Sequence, residues 1–358
     1  MKNVVCGILA LCFSCGAASA QWDAGKAASY LDDRIEWWMT WKSAARDHDT
    51  FCVSCHTSAP YAIGRSALHT ALGEKGVSAD ERKVLDNITK RVRMWNDVAP
   101  FYPDSEKSPG KTAESRGTEA VLNALILSWN DIPAGKLSAD SKLALDNMWS
   151  VQLTSGDAKG AFGWLQFHNA PFEGDSQYYG AALAAVAVGH APGGYRSSPA
   201  IAENIAALRG YLVRELNSQK PIDKLIVLWA AAGWPDLLPE SDRKAIVAET
   251  VAKQREDGGF SLSTLVGPWK RRDNTPLEAK SDGYATAVVA YTLRQAGVKQ
   301  GDPVLERSLQ WLKKNQEVSD GRWLAYSLNK ERDLSSDPGR FMSDAATAYA
   351  VMALETAK

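Results

Sequence analysis

A chain of 358 residues has room for one large domain or two ordinary ones. Its 45% hydrophobic and 23% charged residues are usual for a globular protein, and a formal net charge of −1 gives no reason to expect nucleic acid or an anionic membrane as partner. The 13 tryptophans are unusual and point to aromatic packing motifs or an aromatic-lined cavity.

The N-terminus reads as a cleavable signal peptide over residues 1–20. Lys2 is the positive start, Val4 to Phe13 the apolar stretch, and Ala18-Ser19-Ala20 the small-residue cleavage site. The apolar stretch is too short to span a bilayer, and no later segment is long and apolar enough to do so. Leu11 before Cys12 argues against a lipoprotein. The chain is therefore expected to be exported, periplasmic in a two-membrane cell, with residues 21–358 forming one domain. Cys6, Cys12 and Cys15 leave with the leader. Only Cys52 and Cys55 remain, so the mature chain is not a disulfide scaffold.

Gly25 to Trp41 has the pattern of a helix with one wet face. After it, a helix rich in small residues recurs: Ser58 to Leu72, Glu114 to Leu127, Asp175 to Val188, Pro221 to Ala232, Ser281 to Ala296, and Ser343 to Leu354. Most starts lie about 60 residues apart, which fits two helices and a loop per unit. Runs such as Ala181 to Val188 are apolar nearly all round and belong inside the molecule. The segments Ala79 to Trp95, Pro199 to Leu216, Ser241 to Gln254 and Pro303 to Asn315 are amphipathic and charged, with one face in water. Asp175, Asp282 and Asp344 begin inner helices and serve first as helix caps, with an acid–base role as the less economical reading. Convincing β alternation is absent. The order predicts a ring of inner helices inside a ring of outer ones, closed by Gly25 to Trp41.

Several outer helices end in Gln followed by Gly and an aromatic. The best copy is Gln310-Trp311 through Gln316 to Gly321-Arg322-Trp323. Others are Gln254 to Gly258-Gly259-Phe260, and Gln152 to Gly160-Ala161-Phe162. These resemble the QW repeats of the squalene–hopene cyclase and prenyltransferase superfamily. The resemblance covers most of residues 22–358. It implies an all-α (α/α)6 toroid with a central cavity, in which the Gln amide ties a helix end to the next turn. It does not carry over the activity. Class II cyclases of that family use an Asp-x-Asp-Asp acid, and no such string occurs here; Asp32-Asp33 is the only adjacent aspartate pair.

Cys52-Val53-Ser54-Cys55-His56 matches the attachment signature of a c-type haem. Two thiols spaced by two residues add to the two vinyl groups, and the adjacent imidazole becomes the proximal iron ligand. One covalent haem c is expected, with thioethers at Cys52 and Cys55 and His56 on the iron. Competing readings are a thioredoxin-like redox pair, a zinc site and a local disulfide. For the sixth ligand the candidates rank His48, His168 and then Met342, with Met39 also considered; His69 and His190 are the remaining histidines. Arg46 and Arg65 flank the motif as partners for haem propionates. Lys270, Arg271 and Arg272 form a basic cluster suited to an acidic redox partner. The expected function is electron transfer or haem-linked oxidation beside an apolar cavity, which leaves open whether the protein is an enzyme. The alternatives are a terpene-cyclase-like enzyme and an apolar-ligand-binding protein without haem chemistry.

Overall fold

The computed structural model describes residues 22–174 and 177–355. The leader and Asp175 lie outside the described residues. Six inner helices follow one another round an axis: α2 (Ser58–Gly64, extended by a 3-10 turn over Arg65–Leu68 and by His69–Leu72), α4 (Lys111–Asn130), α6 (Tyr178–His190), α8 (Pro221–Gly233), α10 (Gly283–Gln295) and α12 (Phe341–Glu355). Each packs on the next, and α12 packs back on α2. The outer ring is α1 (Ala24–Thr40), α3 (Ala79–Arg93), α5 (Ala139–Ser150), α7 (Ala202–Glu215), α9 (Glu240–Val251) and α11 (Pro303–Lys314). The fold is an all-α (α/α)6 toroid. Helix α1 lies against α12 and α2, filling the outer position that the chain order leaves open. Among the described residues no helix is long and apolar enough to cross a membrane. The only paired strands described are two-residue pieces, Ala45–Arg46 with Thr50–Phe51.

The inner helices sit where they do because their small side chains allow it. In α6 every residue from Tyr178 to Val188 is buried. A Cβ on Gly180 would come within 2.1 Å of the Trp164 ring, so only glycine lets that indole lie flat on the helix. Four of the six outer helices, α1, α3, α5 and α11, begin on side-chain caps. Ser78 and Glu81 form a reciprocal capping box on α3, and Asp302 accepts from Val304 and Leu305 on α11. Among the inner-helix acids Asp282 is a true cap, accepting from the Ala285 amide at 2.9 Å. Asp344 is not. Helix α12 starts at Phe341, so Asp344 falls in its first turn and its carboxylate points elsewhere.

The glutamines repeat one contact three times. Gln152 Nε2 donates to the Gly160 and Asn204 carbonyls at 3.0 and 3.1 Å. Gln254 Nε2 reaches Gly258 and Val304 at 3.0 and 2.8 Å. Gln316 Nε2 reaches Gly321 and Asp23 at 2.8 and 2.9 Å, and its Oε1 accepts from the Asp23 amide at 2.7 Å. Each amide fastens its own turn to the start of the next outer helix. The last copy joins the end of α11 to α1 and closes the outer ring.

The bore is filled at mid-height. Trp229 of α8 meets Trp129 of α4 at 5.6 Å and Tyr349 of α12 at 6.2 Å between ring centroids. Neither pair belongs to neighbouring inner helices, so both contacts cross the axis. Tyr284 stacks edge-on against Tyr349 at 5.7 Å and against Phe172 at 5.3 Å. The aromatic residues expected to line an open cavity pack on one another instead.

Replacing Gln316 by Ala removes three hydrogen bonds at the ring closure. It is expected to lower stability by about 1–2 kcal/mol, since the contact is partly exposed. Amide hydrogen exchange in α1 should quicken, while Gln310→Ala, exposed on the same helix, should change neither quantity.

Candidate functional site

The segment carrying the two cysteines is delivered by a tight hairpin. His48 and Asp49 take left-handed backbone conformations, with φ of 53° and 51°, and reverse the chain between the two short strands. Asn87 brackets Phe51 through both its backbone groups, at 2.9 and 3.1 Å. Arg91 of α3, fully buried, pairs with Glu119 and donates to Thr50 Oγ1 at 2.7 Å. Trp38 of α1 donates to the Cys52 carbonyl at 2.7 Å. After the second strand the chain turns into α2. The Ser54 hydroxyl accepts from the Thr57 and Ser58 amides at 3.1 and 3.0 Å, satisfying helix-start N–H groups.

Both thiols are buried and free, with no disulfide between them. Burial pushes the Cys52 thiol up to about 12 and raises Cys55 well above its ordinary value. Such thiols are poor thiolates, the opposite of a thioredoxin-like pair. Among the described residues no group of three or more His, Cys, Asp or Glu is placed to hold a metal ion, so the motif lacks the companions of a structural zinc.

His56 is the most constrained residue of the motif. Its ring stacks on Phe341 at 4.0 Å and meets the edge of Trp38 at 5.3 Å. Burial and the Arg34 and Arg332 charges push its pKa down to about 3, so the imidazole is neutral. The Thr57 hydroxyl donates to Asp344 Oδ2 at 2.7 Å, which leaves a lone pair facing His56 Nδ1 at 2.9 Å. That order puts the ring proton on Nδ1 and leaves the lone pair on Nε2. Asp344 is held in turn by Arg34 at 2.8 and 3.2 Å and by the Tyr30 hydroxyl at 2.8 Å. A neutral imidazole whose other nitrogen is oriented by a carboxylate chain is the arrangement that metal-binding histidines require.

Beside His56 lies a cavity of about 280 Å³, also lined by Phe167, Glu173, Arg272, Arg332, Phe341 and Met342. Neither sulfur reaches its wall. Arg332 is half-buried, and burial lowers its pKa; no carboxylate among the described residues pairs with it. Arg272 donates to the Phe167 carbonyl at 2.8 Å. Burial raises Glu173 to about 7, against the weaker pull of Asn169 and Lys111.

The flanking residues singled out in the sequence lie at varied distances from this cavity. Met342 lines it, and Arg272 of the basic cluster does too. Arg46 lies over the Phe101 and Tyr102 rings at 5.7 and 5.2 Å and donates to the Ser43 and Ala45 carbonyls. Arg65 is turned away, clamped by Asp32 at 3.0 Å and Glu74 at 2.7 Å. His48 sits half-exposed at the hairpin tip, 3.8 Å from Asp47. His168 stacks on Trp269 at 4.2 Å, with Nε2 at 2.8 Å from the Lys270 carbonyl. Met39 is partly buried in α1, His69 pairs with Glu81 at 2.9 Å, and His190 ends α6 against the Val186 carbonyl. Arg332, Phe341 and Glu173 were not anticipated. Arg332 and Glu173 come from loops and Phe341 from the start of α12, all distant in sequence, and no local pattern ties them to the cysteines.

Comparison with known proteins adds to the fold alone. Neither a family model nor a curated sequence matches the chain. Solved structures do. The chain is similar to an inactive variant of an α-1,6-mannanase of Salegentibacter sp. HEL1_6 in complex with α-1,6-mannotriose, with 12% identity, TM-score 0.54, and 93% and 99% of the two chains covered. It is similar to a UGL variant with dGlcA-Glc-Rha-Glc, with 13% identity, TM-score 0.54, and 92% and 95% covered. A polysaccharide lyase gives 12% identity, TM-score 0.51, and 93% and 97% covered. The shared feature is the helical toroid.

The raised Glu173 pKa has a consequence for stability. The native state keeps this proton up to about pH 7, whereas the unfolded chain releases it near the ordinary glutamate value of 4.5. The unfolded state binds fewer protons between those values, so this group's stabilisation is full below the lower value and lost as pH rises through the upper one. The melting temperature of Glu173→Gln should therefore fall less between pH 5 and pH 8 than that of the wild type.

Proposed function

We propose that the protein carries one covalent c-type haem on Cys52, Cys55 and His56 and acts outside the cytoplasm in electron transfer or haem-linked oxidation. The observation that carries this reading is the Asp344–Thr57–His56 chain. It fixes a neutral imidazole with a bare Nε2 next to two unpaired buried thiols. Cys52 and Cys55 would hold the group through thioethers, each made by adding S–H across a vinyl group with no oxidant consumed. Once bound, the haem supplies a one-electron centre.

The chain's own residues supply the rest. His56 Nε2 would ligate the iron, and Thr57 with Asp344 sets the imidazole's orientation and donor strength. Arg332, half-buried and without a carboxylate partner, suits a propionate better than Arg65, whose guanidinium is already spoken for by Asp32 and Glu74. Met342 shares the cavity wall with His56 and would be better placed to hold the iron than His48 or His168, which do not line it. The cavity touches His56 but not the sulfurs, so seating a macrocycle requires Phe341 to leave its stack on the imidazole. The leader at residues 1–20 fits a periplasmic location, where a soluble redox protein would be the partner.

The glutamine contacts support a toroid of the QW-repeat kind. The aromatic contacts inside the ring weigh against a cyclase-like reading, because they occupy space that a polyprenoid would need.

Protein made with the cytochrome c maturation machinery should give a pyridine haemochrome spectrum of thioether-linked haem at one per chain. The Cys52→Ala, Cys55→Ala double variant should lose haem on denaturation. Absence of linked haem in the wild type would overturn the proposal. Thr57→Val cuts the link to Asp344 and makes the imidazole a weaker donor. The reduction potential should then rise relative to wild type, read by spectroelectrochemistry.

A further inference from the structure

The segment from Phe167 to Gly174 divides the mouth of the toroid. On its far side from His56 lies a second cavity of about 310 Å³, whose walls include Pro171, Tyr179, Gln219, Lys220, Ile222 and Asp223. This volume is in the range of small-ligand sites.

Asp223 stands out there. It lies in the first turn of α8 and is only 7% exposed. Its own amide is used by the Lys220 carbonyl. No side chain among the described residues hydrogen-bonds or ion-pairs with its carboxylate. The other buried aspartates at inner-helix starts differ: Asp344 has Arg34, Tyr30 and Thr57, and Asp282 caps two amides. Lys224, one residue on, is committed to Glu249 at 3.0 Å. Lys220 holds its ammonium 4.4 Å over the Trp269 ring. Burial pushes Asp223 up to about 7, against the weaker pull of the Lys220 charge and backbone amide. A carboxylate held by one backbone amide and no side chain keeps acceptor capacity for a ligand.

The lining narrows what that is. Asp223 opposes an anion, and Lys220 on the same wall opposes a cation. Gln219 spends its amide N–H groups on the Glu215 carbonyl and Ser218 hydroxyl, which leaves its carbonyl oxygen as an acceptor. The site is thus rich in acceptors and wants O–H donors. Pro171, Ile222 and the Tyr179 ring offer apolar surface for C–H faces. We infer that this cavity binds a neutral polyhydroxylated molecule, a single sugar or polyol ring, with Asp223 accepting from its hydroxyls. The inference stands on this lining alone and is independent of the haem reading.

The test is calorimetric titration of the full-length mature protein with glucose, mannose, maltose and myo-inositol, with Asp223→Ala and Asp223→Asn alongside. At least one compound should bind saturably, and Asp223→Ala should weaken it about tenfold or more. Asp223→Asn should melt at or above the wild-type temperature, because it removes a buried charge that no side chain hydrogen-bonds, while its carbonyl oxygen can still accept from the Lys220 amide. The inference fails if none of the four binds below about 10 mM, a free energy near −3 kcal/mol. It also fails if binding survives Asp223→Ala, or if Asp223→Asn melts more than about 4 °C lower, which would make the carboxylate structural.

Discussion

The buried carboxylate of Asp344 is the contact on which the rest of this molecule turns. It joins three pieces of chain far apart in sequence: α1 through Arg34 and Tyr30, the segment after Cys-x-x-Cys-His through Thr57, and the last inner helix on which it sits. An ionised group taken out of water is expensive unless each oxygen is satisfied, and here both are. Burial raises the carboxyl, while Arg34, Thr57 and Tyr30 draw it down. The same group therefore closes the ring of helices and sets the ring nitrogen of His56. Fold closure and the chemistry of the site are one arrangement and cannot be tuned separately.

The tryptophans divide between two tasks. Some serve the glutamine turns: Trp311 donates to Asp257, and Trp323 to the Leu312 carbonyl. Others crowd the motif. Trp37, Trp38 and Trp41 all contact Phe341, which in turn covers the imidazole. The environment of His56 is therefore dry and polarisable, and a charge created there would be poorly screened.

The helical plan was readable in the sequence because it rests on local patterns. Ala181 to Val188 has no wet face, so it had to be inside; Gln152, Gln254 and Gln316 marked the turns; Gly25 to Trp41 was the one amphipathic helix left to complete the outer ring. The motif was likewise local, five consecutive residues. What escaped was whatever depends on two distant segments meeting. Asp344 looked like a helix cap, because nothing nearby shows that α12 begins three residues earlier. Arg65 was near the cysteines in sequence, but Asp32 and Glu74, each from another turn of chain, claim it. Arg332 and Glu173 sit in irregular loops whose course no periodicity reveals. A central cavity was expected from the resemblance, and composition left packing or lining open, because whether Trp229, Tyr284 and Tyr349 line a hole or fill it depends on the radius of the ring.

Thr57 and its carboxylate partner lie 287 residues apart, and the Gln316 clasp spans 293. Synthesis runs from the N-terminus, so the cysteine pair exists well before the acid that aims its neighbouring imidazole. For that interval the five-residue stretch is an unfinished, accessible peptide. Arrival of the final helix closes the drum over that stretch.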